Sequence, residues 1–191
     1  MRKARSLAVL AIFILAVSCA QPPKAEVDAA RAAVATAQND SDIVTYTADT
    51  LQQAQDALAR MEQLLKDRKY PEAKAAANQA ASLAASAKQE VAGAKLKAKN
   101  DATDLVASAK KQLASLLPTI ATVKRTKPAG LNLGSIDSDL ATAKTKLADA
   151  DSALAAGRYF DARDGATSVK AVLSDIEKRI SDAIQAARKK K

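Results

Sequence analysis

Beyond roughly its first twenty residues the chain repeats apolar side chains at intervals of three and four with few breaks, the spacing of one face of an α-helix. Over 26–38 the stripe is Val27, Ala30, Val34 and Ala37, and it stops at Asn39, Asp40, Ser41 and Asp42, residue types that both end and cap helices. A second stripe, Val44, Leu51, Ala54, Leu58, Met61 and Leu65, falls on heptad a and d positions and predicts one helix, closed by a turn over 67–70. Pro71 suits the first turn of a third helix, where its missing amide hydrogen costs nothing, and Glu72 suits the positive end of the helix dipole. That helix carries Ala73, Ala77, Ala80, Ala84, Ala87, Val91 and Ala94 on one face, a stripe narrow enough for a partner backbone to approach closely.

Near Asn100 and Asp101 the stripe slips by one residue, then resumes as Ala102, Val106, Ala109, Leu113, Leu116, Ile120 and Val123. The slip predicts a bend, or a new helix capped at Asp101 with Asp104 in its first turn. Pro118 falls inside this pattern and should kink it. Residues 127–135, with Pro128, Gly130 and Gly134, read as the only long irregular connection. Laid on itself at an offset of 89, the chain matches Leu51 to Leu140, Ala54 to Ala143, Leu58 to Leu147, Leu65 to Leu154, Tyr70 to Tyr159, Ala73 to Ala162, Ala77 to Ala166 and Val91 to Ile180. The expected fold is therefore all-α: an elongated antiparallel helical bundle made of two related helical-hairpin units, over 26–100 and 101–191. In the second, Gly157 occupies the place of a left-handed helix stop.

The opening segment breaks the pattern. Arg2, Lys3 and Arg5 precede an uninterrupted apolar run from Leu7 to Val17, too short to span a bilayer, so residues 1–18 read as a secretory signal peptide. The run leads through Leu15, Ala16, Val17 and Ser18 to Cys19, the only Cys of the chain. This resembles the bacterial lipobox, although Ala16 stands where Leu is commonest. The resemblance implies diacylglycerol on the Cys19 thiol, cleavage before it and acylation of the new amino terminus; cleavage elsewhere, such as after Ala20, is the competing reading. Residues 19–25, with two Pro, would form a short lipidated tether. Ala20 rather than Asp after the Cys points, by the enterobacterial sorting rule, to the outer membrane.

Composition narrows the chemistry. Hydrophobic residues make up 48% of the chain, but 47 of them are Ala, and there is no His and no Trp. A Ser-His-Asp triad, a Cys-His dyad, a His-Cys zinc site and an internal disulfide are excluded, and no Ser-x-x-Lys lies in a pocket-forming loop. No enzymatic activity, cofactor or metal is expected. Without residues 1–18 the chain carries 27 Lys and Arg against 21 Asp and Glu. With four aromatic residues and no basic groove signature, nucleic-acid binding is not expected, whereas anionic envelope polymers or head groups remain open as partners. Alternation of charges along the helices otherwise reads as a solvated face.

The pattern from the Leu51 helix through Tyr70 to Ala73, repeated from Leu140 through Gly157 and Tyr159 to Ala162, resembles an Ala-rich domain of bacterial lipoproteins of unknown function. Its members look like a short helix followed by a long helical hairpin with a Gly-x-Tyr-x-x-Ala turn. The resemblance covers nearly the whole chain beyond the signal, as two copies, and implies an envelope location without implying a reaction. The same turn looks like a tetratricopeptide fragment, but a spacing of 89 is far from the ~34 of that repeat. Tyr70 and Tyr159 read as plugs for the ends of Ala-lined bundles in preference to a ligand-stacking pair. Phe160 gives the second tip the larger apolar surface and makes it the first place to look for a partner.

The carboxyl end, Arg188, Lys189, Lys190 and Lys191, reads first as a solubilising helix end whose cations suit the negative pole of the dipole. Lys191 also resembles the terminal Lys through which Braun-type lipoproteins join peptidoglycan, and a terminal Lys is the group that host kringle domains recognise. The expected function is a non-enzymatic, lipid-anchored envelope lipoprotein acting as spacer, scaffold or binding subunit. It would be held to the membrane by its lipid and contact another envelope protein or peptidoglycan. The alternatives are a membrane-to-peptidoglycan tether through Lys191 and a surface adhesin. Nothing in the sequence sets the oligomeric state.

Overall fold

Helix formation follows the stripes. The computed structural model describes residues 21–128 and 130–189, and among them every regular element is helical: α1 Lys24–Asn39, α2 Ser41–Tyr46, α3 Ala48–Lys66, α4 Tyr70–Thr126, α5 Leu133–Ala155 and α6 Tyr159–Lys189. The fold is all-α. Two compact units divide these residues: 21–44 with 48–88, and 45–47 with 89–189. The division falls inside α4, between Lys88 and Gln89.

In the first unit the predicted stripe of α1, Val27, Ala30, Val34 and Ala37, is buried throughout, and α1 packs on α3. Asp40 stops α1 and caps α2, its Oδ1 accepting from the amides of Asp42 at 2.9 Å and Ile43 at 3.2 Å. Ile43, Leu51, Ala54, Ala57 and Met61 complete that side of the core. The early part of α4 buries Ala73, Ala76, Ala77, Ala80, Ala84 and Ala87, so this core is lined on one side by methyl groups alone. Ion pairs sit at its rim: Arg31 with Glu62 at 3.0 Å, and Lys74 with Glu26 at 2.5 Å. The hydrogen bond from Lys74 holds the Glu26 carboxyl below its ordinary pKa, helped by a backbone hydrogen bond. The pair lies at the surface, with Lys74 exposed and Glu26 half-buried, and contributes little to stability.

The second unit buries bulkier side chains. Val106, Leu116, Ile120 and Val123 of α4 meet Ile136, Leu140 and Leu147 of α5 and Val169, Leu173, Ile176 and Ile180 of α6. Asn132 caps α5 by accepting from the amide of Ser135 at 3.1 Å. Lys110 pairs with Asp151 at 2.7 Å, Lys124 with Asp137, and Arg179 with Asp139 while its Nη1 donates to Ser135 at 3.0 Å. At Gly165 α5 and α6 come so close that a Cβ there would lie 3.2 Å from the Cβ of Ala150 and 3.9 Å from the carbonyl oxygen of Lys146.

The turns after α3 and α5 are built alike, bond for bond. Arg68 N–H donates to Leu65 O at 3.1 Å and Lys69 N–H to Leu64 O at 2.9 Å; 89 residues later Gly157 N–H donates to Leu154 O at 3.1 Å and Arg158 N–H to Ala153 O at 2.9 Å. This is the Schellman stop, which needs a left-handed conformation at the first of the two donor residues. The residue is Arg68 in one turn, at φ 57°, and Gly157 in the other, at φ 75°.

One sequence expectation fails, and one of two alternatives is removed. The helix predicted from Val44 to Leu65 is broken at Thr47, and Val44, placed on a core position, is 46% exposed. Ile43, Val44, Thr45, Tyr46 and Thr47 form a run of weak helix formers, four of them β-branched, which lowers the cost of the break. Of the two alternatives at the slip near Asn100, the new helix capped at Asp101 does not form. α4 runs unbroken through Asn100, Asp101 and Pro118, and Asp101 spends its carboxylate on Lys97, one turn back at 2.6 Å. Buried Ala98 and Ala102 carry the stripe across the slip.

Arg68→Gly is expected to raise stability by about 1 kcal/mol and Gly157→Ala to lower it by about as much, since only Gly is free of the left-handed penalty. Equal and opposite shifts in urea denaturation would bear this out; a neutral Arg68→Gly would refute it. Gly93, with nothing within 4 Å of an added Cβ, should gain about 1 kcal/mol as Ala. Gly165→Leu should instead lose about 1–3 kcal/mol through overpacking against Ala150, read by thermal melting.

Candidate functional site: the aromatic cluster at the turn between α5 and α6

Gly157 stops α5, and the next residues to enter a helix are Tyr159 and Phe160, so the turn places two rings side by side at the head of α6. Tyr159 packs against the cluster of Ala102, Ala153 and Ala162, where helices lined by methyl groups leave room for a large plug. Residues 45–47 belong to this same unit, and they bring a third ring. The centroid of Tyr46 lies 6.4 Å from that of Tyr159 and 5.4 Å from that of Phe160, tilted by 47° and 34°. Its hydroxyl donates to the carbonyl oxygen of Gly157 at 3.3 Å, the residue that makes the turn.

Cations flank the rings. Lys95 Nζ stands 5.6 Å from the centre of Tyr46, and the guanidinium carbon of Arg163 stands 4.9 Å from that of Phe160. Both distances fall within the range in which a ring quadrupole attracts a cation. All three rings are half-buried. Their faces are spent on one another, on alanines and on these two side chains, so the cluster fills and fixes the turn.

Of the residues singled out from sequence, Tyr159 and Phe160 come together here. Tyr70 heads α4 in the first unit, half-buried, and no ring packs on it among the described residues. Cys19 and Lys191 lie outside the described residues. Tyr46 is the residue that sequence reasoning missed. Its signal was the run of weak helix formers around it, which marks a segment held by something other than its own helix.

Among the described residues no group of His, Cys, Asp or Glu could hold a metal ion, and no helix is long and apolar enough to cross a membrane. The resolved shifts in pKa belong to surface ion pairs: Glu26 downward beside Lys74, and Lys178 upward beside Asp182. An open groove of about 400 Å³ runs between α4 and α6, lined by Leu116, Ile180 and Ile184 with Glu177 and Arg188 at its edge.

A double-mutant cycle of Tyr46→Ala and Phe160→Ala is expected to give a coupling of about 1 kcal/mol, the worth of an aromatic pair beyond its buried area. Tyr46→Phe should cost about 0.5 kcal/mol, since its hydrogen bond is long. Additive single losses would show that the rings do not support each other.

No curated protein and no solved structure matches the chain. A domain of unknown function, DUF4398, is found at residues 25–105, which take in α1, α2, α3 and α4 as far as Leu105.

Proposed function

We propose that the protein is a non-enzymatic, lipid-anchored lipoprotein of the bacterial envelope, acting as a spacer, scaffold or binding subunit built from a duplicated helical module. The observation that carries this reading is the position of the first helix. α1 begins at Lys24, five residues beyond Cys19. At no more than about 3.5 Å per residue the connection reaches roughly 17 Å, so acyl chains on Cys19 would hold the folded body against the membrane surface. A signal-like leader and a single Cys at its end suit that arrangement.

The duplication is the second element of the proposal. α1, α3 and the early part of α4 form one helix-plus-hairpin module, and the later part of α4, α5 and α6 form its divergent copy. The identical turns at 89 residues' separation support it. So do the buried stripe Val27, Ala30, Val34 and Ala37 of α1 and its counterpart Leu113, Leu116, Ile120 and Val123 in α4, at a separation of 86. The three-residue difference is absorbed in the connection that follows each stripe. On this reading α4 is 57 residues long because the second arm of one copy continues without a stop into the first helix of the next. A module repeated for its helices suits a scaffold or spacer.

Growth with an alkyne-tagged fatty acid tests the anchor. The natural chain should take up label and sediment with membranes, while Cys19→Ser should carry no label and retain residues 1–18, as read by mass spectrometry. A mature chain that begins after Cys19, or label that survives Cys19→Ser, would overturn the proposal.

A further inference from the structure

We propose that the end of the second unit formed by the last turns of α4 and α6 is a cationic cap that seats on an anionic phospholipid surface. The two helices run in parallel and in a steady register. Ala102 packs with Ala162, Lys170 donates to Ser108 at 3.0 Å, and Gln112 donates to Ser174 at 3.1 Å, separations of 60 to 62 residues in every case. That register brings Arg188 and Lys189 level with Thr126 and Lys127. Lys124, Arg125 and Lys127 therefore share one end of the bundle with Arg188 and Lys189. α5 starts at the same end, where Lys124 meets Asp137.

Residues 21–189 carry 25 Lys and Arg against 21 Asp and Glu, a net charge of +4. Five of those cations stand together at this end and give it a local positive charge. Local carboxylates leave most of it uncompensated. Asp137 pairs with Lys124 and Asp182 with Lys178, and Glu177 shares the groove edge with Arg188. Among the described residues no ion pair includes Arg125, Lys127, Arg188 or Lys189. Two helix carboxyl poles favour cations in their last turns.

The neighbours of the cations select the kind of anion. Leu131, Leu133 and Ile184 are half-buried near them, and Leu117 is 38% exposed about two helical turns before Lys124. Flexible cationic stems among aliphatic side chains suit the boundary between head groups and acyl chains. The stacking partners a single-stranded nucleic acid would need are elsewhere: Tyr159 and Phe160 open α6, whose 31 residues put them about 45 Å from its other end.

The test uses the chain from residue 19 with Cys19→Ser, made without acyl chains, so that binding cannot come from a lipid anchor and the outcome is independent of that reading. Sedimentation with phosphatidylcholine vesicles is compared with vesicles containing about a third phosphatidylglycerol. Binding is expected only to the anionic vesicles and is lost at high salt. At roughly fivefold per cation near such a surface, the combined change Arg125→Gln, Lys127→Gln, Arg188→Gln and Lys189→Gln should weaken it several-hundredfold. The same net change made at Arg60, Lys99, Lys111 and Lys144 should leave most of it. Lysine acetylation of the unaltered chain gives a readout that no variant can spoil by misfolding: vesicles should protect Lys127 and Lys189 but not Lys144. Equal binding to both vesicle types, equal loss in the two quadruple variants, even protection of all three lysines, or capture by soluble polyglutamate but not by vesicles would each overturn the proposal.

Discussion

Close approach of helices through methyl-lined seams is the constraint on which this structure depends. Burying one Ala side chain contributes little, on the order of 0.8 kcal/mol per carbon removed from water, so an Ala-rich core is stable only where many such contacts are made along long helices. The early part of α4 commits Ala73, Ala77, Ala80, Ala84 and Ala87 to that role, and α5 meets α6 at Gly165 with barely room for the Cβ of Ala150. Helix length is thus an energetic requirement. The bulkier side chains on the facing helices, Val34, Leu51 and Met61 in one unit and Leu140, Leu173 and Ile176 in the other, supply the apolar area that the alanines lack.

Narrow seams leave open ends, and both units face that problem. The turn between α5 and α6 meets it with Tyr159 set into an alanine cluster and with Tyr46 hydrogen-bonded to the carbonyl of Gly157. The ring of Tyr46 ties residues 45–47 to a turn 111 positions away. Ordering a segment of weak helix formers costs conformational entropy, and ring packing with flanking cations is the interaction that offsets it. Seen in this way the aromatic cluster closes one end of a bundle, and Arg188 and Lys189 stand exposed at the far end of α6.

Much of the core was legible in the sequence because helical periodicity is a local property. Val27, Ala30, Val34 and Ala37, or Val106, Leu116, Ile120 and Val123, are buried where the three-four spacing puts them, since any helix that buries one of a stripe buries the rest. The helix stop at Gly157 was legible for a similar reason: the residue type announces a left-handed conformation. Arg68 takes up the same conformation with a side chain that announces nothing. There the hydrogen bonds to Leu64 and Leu65 impose it. A stripe that slips by one residue at Asn100 also looked like a helix boundary, and was instead absorbed within α4.

By itself, then, the sequence determined the all-helical class, most of the buried stripes, the two turns at a fixed separation and the lack of any His, because each rests on residue types within a few positions of one another. Tertiary structure alone decided that α2 and α3 part at Thr47, that Tyr46 joins Tyr159 and Phe160, and that the last turns of α4 and α6 share one end. These depend on side chains more than sixty residues apart meeting in space, and spacing along a helix carries no information about which helix will lie beside it.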